Sequence, residues 1–199
     1  MKTNLILSGV GGQGILTIAA ILDAAALEQN LFVKQSEVHG MSQRGGAVQS
    51  HVRISNTEVY SDLIPEGKAD MVLSVEPLEA LRYIPFLKKN GWIITDTHPF
   101  RNILDYPDES EIINEIKKHP NHIIIDATEA AKKLGNSKVA NIILLGAASS
   151  LISLHQDSIE LAIKNLFLSK GEKMVAMNLE AFELGKELAK NQLETDVKF

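Results

Sequence analysis

The sequence predicts an α/β fold: three α/β/α layers built on a mixed, mostly parallel sheet, with a Rossmann-like glycine turn and an antiparallel hairpin. Short apolar runs typical of buried strands alternate with segments of helical periodicity. A glycine cluster, GVGGQG at 9–14, separates the first strand from the first helix. The segment AVQSHVRIS at 47–55 alternates apolar and polar residues instead, which is typical of antiparallel pairing.

The first part of the chain predicts a β-α-β unit. A strand at 4–8 leads through the glycines into a helix at 13–29, whose apolar residues recur at helical spacing, and a second strand follows at 31–35. The alternating segment at 47–55 and a returning strand at 58–61 are then expected to form the hairpin, beside the otherwise parallel sheet.

The remaining elements continue the alternation of strands and helices. A buried strand at 70–75 precedes a helix at 77–89, which opens with a proline, tolerated in a first turn, and stops at Gly91. Strands are predicted at 92–95 and 122–125, and helices at 110–118, 127–134, 139–154, 158–168 and 173–190. No linker or repeat divides the chain, so we expect one domain over 1–190 and a frayed polar tail over 191–199.

The composition is that of an ordinary globular protein. Of its 199 residues, 45% are hydrophobic and 23% are charged, which excludes disorder. The formal net charge of −5 disfavours nucleic acid as the main partner, because proteins that bind the phosphate backbone are normally basic. We find no signal peptide, and the apolar stretch at 142–154 is too short for a bilayer, which requires about 20 residues. A cytoplasmic protein with no membrane partner is expected.

The chain contains no cysteine, and this absence excludes several kinds of site. Disulfides, cysteine zinc sites, a cysteine nucleophile and a cysteine-ligated iron–sulfur cluster all require that residue. No metal site is predicted on this chain.

The glycines after the first strand predict a site for an anion or another polar ligand. They allow a tight turn and a close approach to the backbone, and the free N–H groups at the start of the next helix favour an anion. Gln13 can donate an amide hydrogen bond without adding charge. The alternative is that the glycines only allow the strand and the helix to pack closely. The four are Gly9, Gly11, Gly12 and Gly14.

A dinucleotide such as NAD is one ligand that this spacing suggests. The fingerprint also requires an acid about 20 residues on, at the end of the second strand, and Glu37 is close to that place. Glu37 nevertheless opens a second unusual loop, and the chain lacks an obvious Tyr-x-x-x-Lys catalytic pair. No Walker lysine follows the glycines, so an ATP-binding P-loop is excluded.

The second loop, SEVHGMSQRGG at 36–46, places Glu, His, Ser, Gln and Arg beside three glycines. Arg44 offers a planar charged fork to a phosphate or carboxylate, or it forms a salt bridge with Glu37 or Asp62. His39 is either a proton carrier or a structural histidine. The loop is therefore a second candidate site.

Three positions outside these loops are weaker candidates. Thr97 and His98 follow a strand at its carboxyl end, where open α/β sheets often bind ligands, but we favour a solvent loop there. Asn141 is expected to cap the start of a helix.

The two loops together resemble a known family. GVGGQG followed by SEVHGMSQRGG is similar to the gamma-type subunit or domain of the 2-oxoacid:ferredoxin oxidoreductases, and the form EVHGMSQRGG is closest to the beta subunits of the indolepyruvate branch. Pyruvate and 2-oxoglutarate relatives tend to carry a loop more like YGPE-x-RGG. NIILLGAA at 141–148 is also similar to the family's Asn-x-x-x-Leu-Gly helix, and the resemblance extends to about Lys190.

The resemblance implies a subunit of an oxidoreductase. The family converts a 2-oxoacid and coenzyme A to an acyl-CoA, with loss of carbon dioxide and reduction of ferredoxin, and the indolepyruvate branch acts on arylpyruvates. Thiamine diphosphate and [4Fe-4S] clusters belong to the large catalytic partner subunit. This chain is expected to hold no cofactor itself, to contact coenzyme A, to serve ferredoxin only through the complex, and to pair as a homodimer when isolated.

Both loops are expected to face the partner and to complete the wall of its active site. The catalytic candidates are Arg44, His39 and Glu37, and the binding candidates are Gly11, Gly12, Gln13, Gly14, Ser42, Gln43 and Gly45. The ligand is either the carboxylate of the substrate or a phosphate of coenzyme A. Two alternatives stay open: a stand-alone NAD-dependent oxidoreductase, and a non-catalytic assembly module of the complex.

Overall fold

The computed structural model describes residues 1–40, 45–101 and 103–196. Its strands are β1 (Lys2–Val10), β2 (Phe32–His39), β3 (Ala47–Ser55), β4 (Ala69–Ser74), β5 (Leu87–Asp96) and β6 (His122–Ile125). Its helices are α1 (Ile15–Glu28), α2 (Pro77–Arg82), α3 (Glu109–Lys117), α4 (Ala127–Lys133), α5 (Ala140–Ser149), α6 (Gln156–Phe167) and α7 (Glu172–Asp196). Within the described residues, none of these helices has the length and apolar character needed to cross a membrane.

The six strands form one mixed sheet in the order β2-β3-β1-β4-β5-β6. The pairings from β1 through β4 and β5 to β6 are parallel, whereas β3 is antiparallel to both of its neighbours, β1 and β2. The mixed, mostly parallel sheet predicted from the sequence is thereby confirmed. The β-α-β unit is also present, but β3 lies between its two strands.

The alternation of side chains along the central strands creates the two outer layers. Leu5 and Leu7 of β1 pack in the larger core with α1, α5, α6 and α7, whereas Ile6 lies between them on the opposite face. That second, smaller core includes Ile112 and Ile116 of α3. A strand buried on both faces carries a continuous apolar run, which is why 4–8 is recognisable in the sequence.

The predicted hairpin is wrong in its second strand. Residues 58–61 form a loop, and the antiparallel partners of β3 are β1 and β2. The guanidinium of the buried residue Arg53 donates to the carbonyl oxygens of Ser61 at 2.8 Å and Leu63 at 2.9 Å. A side chain therefore satisfies carbonyl groups that a returning strand would have paired through its backbone.

The helix predicted over 77–89 is also wrong in its second half. α2 ends at Arg82, a short 3-10 turn at Ile84–Phe86 follows, and β5 begins at Leu87. Pro85 in that turn lacks the N–H that a continuing α-helix needs. Gly91 does not stop a helix but lies inside β5, where a Cβ atom would come within 2.6 Å of Leu87 Cγ.

The C-terminal helices also differ in extent from the prediction. α5 ends at Ser149 rather than at residue 154, and α7 continues past Lys190 to Asp196, where we expect a frayed tail. Gln192 Oε1 accepts a hydrogen bond from the Ile124 N–H at 2.9 Å, and Leu193 packs against the core. These contacts attach the end of α7 to the edge strand β6.

Two glycines allow α5 and α7 to cross with their backbones in contact. A Cβ atom on Gly146 would lie 2.0 Å from the carbonyl oxygen of Phe182, and one on Gly185 would lie 1.9 Å from that of Ile143. Real Cβ atoms do not approach backbone atoms so closely, and these backbones cannot move without shifting a helix. The glycine of the Asn-x-x-x-Leu-Gly segment therefore has a packing role.

We expect Gly146→Ala to destabilise the fold by about 3 kcal/mol or more, because overpacking at a backbone contact exceeds the gain of roughly 1 kcal/mol in helix propensity. Gly135→Ala is the matched control, since Gly135 has φ 87° and a Cβ there meets nothing within 4 Å. It should cost only about 1–2 kcal/mol, from the left-handed backbone. Urea unfolding followed by circular dichroism compares the two, and equal losses would contradict the packing role of Gly146.

Candidate functional site

The glycine turn at 11–14 connects β1 to α1 and is closed by local hydrogen bonds. Val10 N–H donates to Gln13 Oε1 at 2.7 Å, and Gln13 N–H donates back to the Val10 carbonyl at 3.1 Å. Gly14 is the N-terminal cap residue of α1, with the left-handed angles φ 80° and ψ 28°. The side-chain oxygen of Gln13 is thus occupied within the turn. Donation from its side-chain nitrogen to a ligand stays a prediction.

Asn141 ties this turn to the start of α5. Its side-chain nitrogen donates to the Gly14 carbonyl at 3.1 Å, and a Cβ atom on Gly14 would lie 2.4 Å from that nitrogen. Asn141 is therefore not the capping residue that the sequence predicts: Val139 occupies the cap position, and Asn141 is the second residue of the helix. Its role is to hold two elements together that are 127 residues apart in the chain.

The second loop meets the first at the end of the β1–β3 pairing. Gly11 N–H donates to the Gly46 carbonyl at 2.9 Å, which continues the ladder beyond the pair Val10 and Ala47. Gly45 has φ 79°, a conformation that favours glycine. The two motifs that carry the family resemblance are thus direct neighbours in space.

Several predicted residues of the second loop lie outside the described residues, namely Ser42, Gln43 and Arg44. His39 is the last residue of β2, where its backbone lies opposite Val48. Glu37 lies exposed on the same edge strand, and its carboxylate accepts a hydrogen bond from Gln35 Nε2 at 3.4 Å. Glu37 is not among the described residues that line the pocket presented next.

A pocket of about 500 Å³ opens at the carboxyl ends of the parallel strands, beside the glycine turn. Its described lining includes three cationic or titratable side chains, two phenylalanines and no carboxylate, a composition suited to an anionic ligand with an apolar part. The lining residues that matter here are Gly12, Gln13, Gly14, His98, Phe100, Thr128, Asn136, Lys138, Asn141, Phe167, Lys170 and Asn178.

The pocket contains residues for which the sequence gives little signal. His98 lines it, although we expect a solvent loop there. Lys138 precedes α5, and Lys170 precedes α7, with its ammonium 5.1 Å from the ring centroid of Phe167. Each of these residues lies in a polar connection that resembles any other surface loop, so only the fold brings them together.

A buried carboxylate behind the pocket positions part of its wall. Asp96, at the end of β5, accepts hydrogen bonds from the N–H groups of His98, Ala127 and Thr128, each at 3.1 Å. The Thr128 hydroxyl also donates to it. Burial raises the pKa of Asp96, and the hydrogen bond from Thr128 opposes that rise. The carboxylate thus fixes His98 and Thr128 on the pocket surface.

No metal centre is formed by the part of the chain that the structure describes. No group of three or more His, Asp or Glu side chains is placed there to hold a metal ion.

The sequence of this chain matches a known protein family over most of its length. A family model described as pyruvate ferredoxin/flavodoxin oxidoreductase matches residues 4–188. The chain belongs to this family. The subunit IorB of indolepyruvate oxidoreductase from Thermococcus kodakarensis is 41% identical over 200 residues, which covers 96% of this chain and 97% of that subunit. The corresponding subunit from Pyrococcus horikoshii is 40% identical with the same coverage.

Two solved structures share the fold of this chain. The gamma subunit of a keto/oxoacid ferredoxin oxidoreductase from Geobacter sulfurreducens superposes with a TM-score of 0.71 at 26% identity, over 95% of this chain and 99% of that one. A 2-oxoglutarate:ferredoxin oxidoreductase from Magnetococcus marinus, with 2-oxoglutarate, coenzyme A and succinyl-CoA bound, gives 0.77 at 24% identity. This chain covers 31% of that longer chain with 96% of its own residues. The family resemblance and the α/β fold predicted from the sequence are confirmed.

The contact between Gly14 and Asn141 can be tested by a double-mutant cycle. We expect Gly14→Ala to cost about 1–3 kcal/mol, from its left-handed backbone and from the displaced Asn141 side chain. In an Asn141→Ala background the new methyl group has room, so the cost of Gly14→Ala should fall by about 1 kcal/mol. Denaturant unfolding of the four proteins measures this coupling.

Gly12→Ala is the matched control for the cycle. Gly12 also has a positive φ, 100°, but a Cβ there meets nothing within 4 Å. Its cost should be the same in both backgrounds. If the effects of Gly14→Ala and Asn141→Ala on the free energy of unfolding are additive, the position of the Asn141 side chain does not require a residue without a Cβ atom at position 14.

Proposed function

We propose that this chain is the subunit without cofactors of a 2-oxoacid:ferredoxin oxidoreductase that acts on arylpyruvates such as indolepyruvate. The observation that carries the proposal is 41% identity, over nearly the whole chain, to an indolepyruvate oxidoreductase subunit. The complex would convert the oxoacid and coenzyme A to an acyl-CoA and carbon dioxide, and two electrons would pass to ferredoxin. The cytoplasm is the proposed location.

The redox groups are proposed to reside on a large partner subunit. With no cysteine in its 199 residues, this chain cannot ligate an iron–sulfur cluster as the family's clusters require. The partner would supply thiamine diphosphate, the clusters and the contact with ferredoxin. This chain then contributes binding and shape at the shared active site, and its exposed apolar residues would cause self-association as a homodimer when the partner is absent.

The pocket beside the glycine turn is proposed to bind an anionic part of coenzyme A. Lys138, Lys170 and His98 offer positive charge or N–H donors, and the start of α1 at Gly14 directs free N–H groups to the same side. The described lining contains no carboxylate. Phe100 and Phe167 add apolar area for the rest of the ligand.

The second loop is proposed to act on the substrate side. Arg44, with Ser42, Gln43 and the backbone of Gly45, would position the carboxylate of the oxoacid, while Gly11 and Gly12 form the adjoining backbone. His39 and Glu37 are secondary candidates for proton transfer. Support comes from the bond between Gly11 and Gly46, which connects the base of this loop to the glycine turn.

The sheet order argues against the stand-alone NAD-dependent enzyme. In a dinucleotide-binding unit the second strand lies next to the first, and the acid at its end reaches the ribose. Here β3 separates β1 from β2, so the strand that carries Glu37 lies two strand spacings from β1, about 10 Å, instead of one. The other alternative is a non-catalytic assembly module, whose loops would affect association with the partner but not turnover. Mutation of the loops distinguishes this alternative from the proposed enzyme subunit.

Reconstitution with the large subunit tests the role of Arg44. We expect indolepyruvate- and coenzyme A-dependent ferredoxin reduction only when both subunits are present. Arg44→Ala should lower turnover about 10- to 100-fold without loss of assembly, because a charge-assisted hydrogen bond contributes about 1.5–3 kcal/mol. Arg44→Lys should recover only part of this, since it keeps the charge but not the fork.

Lys164→Ala, at an exposed position on α6, is the charge control for that assay. Loss of association in Arg44→Ala would favour the assembly module. Unchanged dependence on both coenzyme A and the oxoacid would remove Arg44 from the site.

The pocket lysines can be tested by direct binding. We expect Lys138→Ala/Lys170→Ala to weaken coenzyme A binding about tenfold or more and to reduce its dependence on salt, because each lysine contributes electrostatic attraction. Pantetheine, which lacks the phosphates, should bind the two proteins equally. Isothermal titration checks both ligands, with Lys164→Ala as the control. Equal coenzyme A affinity in all three proteins would exclude this pocket as the phosphate site.

A further inference from the structure

A segment between β5 and α3 forms one wall of the pocket, and several of its apolar side chains are exposed. We call residues 97–101 and 103–107 the wall loop. His98, Pro99 and Phe100 line the pocket. Phe100 is 44% exposed, and Leu104 is fully exposed, so the wall loop is not anchored by burial of these apolar groups.

Glu76, a carboxylate that is 1% exposed, adds a further anchor for the wall loop. Glu76 Oε1 accepts a hydrogen bond from the Tyr106 hydroxyl and a longer one, at 3.4 Å, from the Phe100 N–H. Its other oxygen accepts the Glu79 N–H at 2.7 Å, at the start of α2. One buried side chain therefore connects the pocket wall to the end of β4.

The contacts of Glu76 are directional hydrogen bonds rather than apolar packing. Glu76 forms no salt bridge among the described residues, so a buried charge is satisfied only by neutral donors, two of which belong to the wall loop. Burying a carboxylate in that position has a desolvation cost that an apolar residue would avoid. Unlike an apolar residue, the carboxylate forms directional hydrogen bonds. Burial and the hydrogen bond to Glu76 also raise the pKa of Tyr106, so its hydroxyl stays protonated and donates.

We propose that Glu76 is a positioning residue: through the Tyr106 hydroxyl and the Phe100 N–H it fixes the wall loop so that His98 and Phe100 are in place for the ligand. The proposal rests on the proposed function in that the ligand is taken to be coenzyme A. Glu76 is not among the described residues that line the pocket. Its effect is on affinity rather than on the chemical step.

Tyr106→Phe is the main variant, because it removes the hydroxyl and keeps the ring that packs against the smaller core. Tyr60→Phe is the matched control, since Tyr60 is 84% exposed. Arg101 lies in the wall loop and gives trypsin a cleavage position there. We expect cleavage after Arg101 to be about tenfold faster in Tyr106→Phe under native conditions, as a lost hydrogen bond to a charged group increases local opening.

Affinity for coenzyme A supplies the second measurement. In Tyr106→Phe the dissociation constant of the isolated chain, and KM for coenzyme A in the reconstituted complex, should rise about five- to tenfold with kcat unchanged. Glu76→Gln keeps the shape and can still bond the Tyr106 oxygen, so intermediate values are expected. The melting temperatures of Tyr106→Phe and Tyr60→Phe should stay close to each other, which a general loss of stability would not give.

Each outcome decides the proposal. Faster cleavage together with weaker binding supports it. Cleavage at the wild-type rate overturns it, and so does faster cleavage with unchanged affinity or a loss confined to kcat. If even the wild-type chain fails to bind coenzyme A, the proposed function fails instead, and the cleavage rates alone then decide whether Glu76 fixes the wall loop.

Discussion

The antiparallel pairing of β3 with both β1 and β2 is the constraint on which the site depends. It places the end of β1, the end of β2 and the start of β3 at the same edge of the sheet, so that Gly11 and Gly46 meet. The register is specified by the core, because a slip of one residue would turn Val52 and Ile54 away from it. Burial of ordinary apolar side chains thereby determines that the two glycine loops are neighbours.

The close crossing of α5 and α7 extends this constraint to the far side of the pocket. α5 is buried along its whole length, and the contact through Gly146 and Gly185 leaves it one position relative to α7. Asn141 at the start of α5 then reaches the Gly14 carbonyl. The packing of the largely apolar helix α5 thus determines where the Asn141 side chain meets the glycine turn.

Local patterns in the sequence correctly predict those elements whose conformation depends mainly on their own residues and immediate neighbours. The glycine turn, the strand at 122–125 and the helices near 110–118 and 127–134 belong to this group. The strand predicted at 58–61 is wrong, and the Ser61 carbonyl instead accepts a hydrogen bond from the Arg53 side chain of β3, a contact that no local pattern in the sequence indicates. The pocket residues Lys138 and Lys170 become neighbours only through the packing of α5, α6 and α7, which a single sequence does not specify.

The charge of the site also differs from that of the chain. A net charge of −5 argues against nucleic acid, yet the pocket lining offers cations and no carboxylate among the described residues. Asp96 and Glu76 are buried and accept hydrogen bonds from the wall's own N–H and hydroxyl groups. Asp96 and Glu76 thus organise the backbone of the wall through hydrogen bonds, while the lining itself presents the cationic side chains of Lys138 and Lys170.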